Sequence, residues 1–147
     1  MAAFPHLNFM ERAMAADGLT TIQSSHGPKD TMDRLEADVK ARGLTIFARI
    51  DHAEGAIAAG LSLPPTEVLI FGNAKSGTPL MQSVQTIGID LPLKALVWQD
   101  GSGVTFLSYN DPAWLAKRHG VSGAAEAAVG NLSAALDAIA KKATSLS

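Results

Sequence analysis

The stretch TEVLIFGNAKSGTPLM, residues 66–81, decides the fold. Glu67 to Phe71 is a near-continuous apolar run of strand length, and it predicts a central strand buried on both faces. A polar corner bearing two glycines follows, from Gly72 to Thr78. Thr78-Pro79 then reads as a cap followed by a first-turn proline, because a proline lacks an N–H that the first helical position does not need. Leu80, Val84 and Ile87 supply the inner face of the predicted helix. A strand that runs straight into a helix start belongs to an α/β or α+β domain.

The same grammar extends in both directions. On the amino-terminal side, Thr45–Ile50 alternates as a strand, and Asp51 with Glu54 forms a box-like start for a short helix that Gly60 ends. Pro64-Pro65 is a rigid connector. Earlier still, Leu19–Ser24 has the β-branched content of a strand. Pro28 opens a helix whose stripe is Met32, Leu35 and Val39, with Gly43 as its stop. On the carboxyl side, Leu93–Gln99 and Val104–Tyr109 flank Asp100-Gly101-Ser102-Gly103 and predict a hairpin. Asp111-Pro112 opens another helix, closed by Gly120. The chain ends in an alanine-rich helix over 122–143, whose narrow seam is Val129, Leu132, Leu136 and Ile139.

These elements predict an α+β domain, with a mixed sheet of about five strands backed by helices on one face and an added C-terminal helix. Residues 1–17 read as an N-terminal leader, and 18–147 as a single domain. At 147 residues the chain is long enough to fold around one core without a covalent staple. Its 47% hydrophobic and 18% charged content is that of a globular protein. Without cysteine there is no disulfide, no thiolate metal site and no thiol nucleophile. The net charge is −2, and the only adjacent basic pairs are Lys117-Arg118 and Lys141-Lys142, so no basic face for nucleic acid is expected. Glu11 and Arg12 break the amino-terminal apolar residues, and no apolar stretch reaches the length of a membrane span. A soluble, cytoplasmic protein is expected.

The corners of the chain hold the candidate site: His52, Asn73, Lys75, Thr78, Asp90 and Lys94. Gly72–Thr78 precedes a helix, where free backbone N–H groups favour an anion, but no lysine directly precedes Thr78, so the loop is not a P-loop. A turn with a plain cap explains the same residues. His52 sits where a strand meets a helix and has the chemistry of a general acid or base, or simply of a hydrogen-bonded helix start. His6, His26 and His119 lie far from it in sequence, so no metal is expected, and no cofactor either. Lys94 is a charge inside the apolar run LPLKALVW, on the face shared with Leu96 and Trp98; it either points into a polar site or pairs with Asp90 or Glu67.

IDHAEGA, PTEVLIFGNAKSGTPLM, IDLPLKALVW and SYNDPAWLAKRHG together resemble the DUF302 family of small bacterial and archaeal proteins. The resemblance covers residues 18–120 and leaves the leader and the last helix outside. It implies a TATA-binding-protein-like α+β fold with a tendency to form a homodimer, and no assigned activity. Three functions are compatible with the residues. One is a module binding a small polar or anionic ligand near His52, Asn73 and Lys94. Another is an enzyme with His52 as acid/base, and the third a structural homodimer without a ligand.

Overall fold

The computed structural model describes residues 16–146. The leader expected at 1–17 lies outside the described residues, apart from its last two. The order of elements is β1 (Leu19–Gln23), α1 (Pro28–Ala41), β2 (Thr45–Asp51), α2 (His52–Ala58), β3 (Thr66–Gly72) and α3 (Ala74–Ser83). A 3₁₀ turn (Gln85–Asp90) leads to β4 (Leu93–Gln99), β5 (Thr105–Asn110), α4 (Pro112–His119) and α5 (Ala125–Thr144).

The five strands form one sheet in the order β1-β5-β4-β3-β2. Every neighbouring pair is antiparallel, so the sheet is not mixed as the sequence suggested. Two features of the connections explain this. Helix α1 carries the chain from one edge strand to the other, so β1 and β2 never meet. The α2 segment and the α3 segment each return the chain to the end of the sheet where the preceding strand stopped, so the next strand runs back alongside it.

Helices α1 and α5 cover one face. Met32, Leu35 and Val39 of α1, with Leu136, Ile139, Ala140 and Ala143 of α5, pack on Leu69, Phe71, Leu93, Ala95, Val97, Leu107 and Tyr109. Each fully buried large side chain here contributes roughly 1.5–3 kcal/mol relative to exposure. The opposite face is only half-buried at Val68, Ile70, Leu96 and Trp98. β3 is therefore not buried on both faces: Leu69 and Phe71 are core, while Val68 and Ile70 are not. On β4, Lys94 does share its face with Leu96 and Trp98, as its alternation requires.

The third helix differs from expectation at both ends. It begins at Ala74 with Asn73 as its N-cap, because Asn73 Oδ1 accepts the Ser76 N–H at 2.8 Å. Pro79 thus lies inside the helix rather than at its start. It stops at Ser83, and Ile87 belongs to the following 3₁₀ turn.

Candidate functional site

β3 delivers the chain to the end of the sheet beside α5. There Gly72 turns the backbone out of the ladder and the Asn73 cap redirects it into α3. Between this corner, the 3₁₀ turn, the start of β4 and the outer half of α5 lies a cavity of about 450 Å³. That size is within the range of small-molecule sites, roughly 300–1,000 Å³. Its inner wall is apolar: Leu91 and Leu93 from the strand side, Met81 from α3, and Leu132, Leu136 and Ile139 from α5. Ala128 and Ala135 sit in the same α5 stripe, and their small side chains leave the space that larger ones would fill. Phe47, at the irregularity in β2, is 57% exposed and flanks the cavity.

The polar groups gather at the α3 end. Asn73, Lys75, Ser76 and Thr78 line it there, with Asn131 facing from α5. Among the described residues, Lys75 is the one charged side chain in the lining, and no carboxylate pairs with it. The cavity therefore has an apolar interior and a mouth biased towards negative charge.

Of the six residues singled out from the sequence, Asn73, Lys75 and Thr78 come together here. The other three do not line the cavity. His52 opens α2, is exposed, and makes no side-chain hydrogen bond among the described residues. It lies beyond the Asp51–Glu67 pairing, whereas the cavity lies at the Thr45–Gly72 end of the same ladder. At about 3.3 Å per strand residue, those ends are roughly 17–20 Å apart. Lys94 is at the cavity's end of β4 but on the opposite face of the sheet, with Nζ 3.4 Å from the Pro92 carbonyl oxygen. Neither Asp90 nor Glu67 pairs with it.

Asp90 instead joins the 3₁₀ turn to α4. Arg118 Nη1 donates to both of its oxygens at 3.0 and 2.8 Å, and His119 Nε2 is 2.5 Å from Oδ2. The other ring nitrogen of His119 is 3.0 Å from Thr86 Oγ1. Basic residues in the last turn of a helix also complement its dipole, so this cluster has a sufficient structural reason. Sequence reasoning missed the α5 wall. The seam was visible, but the alternation of Leu132 with Ala128 and Ala135 was the signal that it borders a void. Among the described residues, no group of three or more His, Asp or Glu could hold a metal ion.

A family model described as a domain of unknown function, DUF302, matches residues 20–139. This chain belongs to the DUF302 family. The match takes in most of α5, beyond the segment 18–120 whose motifs carried the resemblance, so the cavity wall is part of the domain. The crystal structure of an uncharacterized conserved DUF302 protein from Bacillus stearothermophilus superposes with a TM-score of 0.77 at 22% identity, covering 87% of this chain and 99% of that one. That likeness establishes the α+β fold. In sequence, this DUF302 chain is 51% identical over 112 residues to a protein named "Fluoride-specific ion channel FluC 1" of Brucella suis biovar 1 (strain 1330). The aligned part is 76% of this chain and 44% of that protein. "Fluoride-specific ion channel FluC 1" of Brucella abortus biovar 1 (strain 9-941) matches at the same identity, with 42% of its length covered. The chain thus spans less than half the length of these curated relatives. No helix among the described residues is long and apolar enough to cross a membrane.

Proposed function

We propose that this DUF302 domain is a cytoplasmic binding module that takes a small ligand into the cavity between α3 and α5. The observation that carries this reading is the cavity itself: about 450 Å³, apolar within, with Asn73, Lys75 and Thr78 converging at one end. An enzyme built on His52 has no such support, since His52 lies at the other end of β2. The name of the Brucella relatives is not carried over as an activity. The segment they share with this chain has no membrane-crossing helix among its described residues, and more than half of each relative lies outside the match. The test is ligand-observed NMR against small water-soluble fragments. Hits should bind the native chain and be lost in Ala135→Phe, whose ring occupies the cavity. Hits that persist in that variant would place binding elsewhere.

A second reading concerns assembly. Ile50 pairs with Val68, and Val68 with Leu96, making an apolar row across the face that the helices leave uncovered. Ile50 is 42% exposed, and Trp98 flanks the row. Such a row suits a self-complementary contact with a second copy of the domain. Sedimentation equilibrium should give twice the chain mass of 15.3 kDa, and Leu96→Lys should halve it. A native chain that sediments as a monomer at all concentrations excludes the dimer.

A further inference from the structure

We infer that the occupant of the cavity is an amphipathic monoanion: a carboxylate head at the α3 corner, carried on an unbroken apolar chain that lies along α5. This inference rests on the cavity being a binding site, as proposed above, and adds the chemical class.

Three features of the lining select that class. The inner wall offers Leu93, Leu132, Leu136 and Ile139 and no polar side chain, so a sugar or another evenly polar molecule would lose its hydration there without replacement. An apolar chain gains from the same burial, at about 25 cal/mol per Å². Among the described residues the lining holds a single cation, Lys75, and no acidic residue contributes to it. An ammonium head would meet a like charge with nothing to compensate it. A phosphate dianion would bring two charges to one. A carboxylate brings one, and finds hydroxyl and amide donors from Thr78, Ser76 and Asn131 nearby. The volume of about 450 Å³ is enough for a medium-chain acid.

The experiment uses three probes of equal chain length, octanoate, octan-1-ol and octylammonium, titrated calorimetrically into the full chain at low salt and neutral pH. Octanoate should bind about fivefold more tightly than octan-1-ol, the upper range for one exposed ion pair, and octylammonium most weakly. Lys75→Met should bring octanoate to the level of octan-1-ol and leave the alcohol unchanged. Lys117→Met, exposed on α4 and outside the lining, should preserve the preference and so exclude a general charge effect. Equal binding of the acid and the alcohol, or a preference that survives Lys75→Met, overturns the carboxylate assignment while the cavity reading stands. Failure of all three probes to bind also overturns it, and the fragment experiment then decides the cavity reading separately. Binding that survives Ala135→Phe overturns both. Should that variant not fold, Ala128→Leu narrows the other end of the same wall and replaces it.

Discussion

Asn73 serves the fold and the cavity at once, and the two roles can be separated by substitution. Its Oδ1 accepts the Ser76 N–H at 2.8 Å and so starts α3, while the residue also lines the mouth beside Lys75. Asn73→Ala removes the cap and should cost about 1 kcal/mol, read as a lower urea midpoint with an unchanged slope. Asn73→Asp keeps the cap, since aspartate is an equally good acceptor there, and should hold stability within a few tenths of a kcal/mol. It nevertheless adds an anion beside Lys75, so it should weaken octanoate binding more than octan-1-ol binding in the same calorimeter. The caps at Asp51 and Asp111 were legible because each stands immediately before its helix, and each accepts a backbone N–H from inside the first turn. Asn73 was not legible as a cap because Thr78-Pro79 imitates a helix start five residues later. Pro79 instead stands sixth in the helix, beyond the first turn where a missing N–H costs nothing. The partnership of Asp90 with His119 was invisible for another reason: 29 residues separate them, and only the packing of the 3₁₀ turn on α4 brings them together. Gly18 is similar. Its φ of +73° and the Trp114 ring, which occupies the space a Cβ would need, explain its identity only once α4 is in place.

Among the elements, α1 owes its position to packing and its pH response to its outer edge. Arg49 reaches from β2 to four carboxylate oxygens, two on Glu67 at 2.7 and 3.1 Å, one on Asp33 at 3.0 Å and one on Glu36 at 3.1 Å. The Lys29 hydrogen bond, then that of Arg49, holds the Asp33 carboxyl below its ordinary value of 3.8. Lys40, then Arg49, does the same for Glu36 relative to 4.5. A carboxyl whose pKa is depressed by folding adds stability above its ordinary pKa, and that contribution fades as the pH falls through the folded-state value. Stability should therefore decline on the acid side, beginning near those ordinary values and continuing below them. Arg49→Met should return both carboxyls part of the way, because their lysine partners remain, and should flatten the decline. Side-chain carboxyl carbon titration by NMR and denaturation at a series of acid pH values measure the two halves of this expectation; unchanged titration midpoints in the variant would refute it. None of this network was legible in the sequence, because it depends on which edge strand α1 lies beside. The helix itself was legible from Pro28 and from Met32, Leu35 and Val39, which are all fully buried. The seam of α5 was legible in the same way, but the hollow beside it was not, since an apolar periodicity reports which face is inward and not whether the opposite wall reaches it.

At the scale of the molecule, the number of strands, the hairpin and the one-sided cover of helices were readable from local patterns, whereas the strand order was not. Alternation specifies a strand and its inward face; it does not say that β1 and β2 occupy opposite edges. The cavity follows from that order, because the edge strand β2 supplies Phe47, with Leu44 just before the strand, where β3 hands the chain to α3, and α5 passes beneath with alanines at two of the contact positions. A cleft of about 450 Å³ lined by apolar side chains is a cost to the free fold, since that apolar surface stays in contact with solvent instead of being buried. If selection had acted on stability alone, Ala135 would be a larger residue. Ala135→Leu should therefore stabilise the ligand-free domain, by roughly 1 kcal/mol within the usual gain from cavity filling, and raise the thermal midpoint by a few degrees. The same leucine should abolish the stabilisation that octanoate gives the native chain, because a ligand raises the midpoint only through the folded state that binds it. Paired thermal melts of both chains, with and without octanoate, supply the comparison. A leucine that destabilises the domain would mean the wall at position 135 is already closed, and the hollow would lose its standing as a site that the domain keeps open at the expense of its own stability.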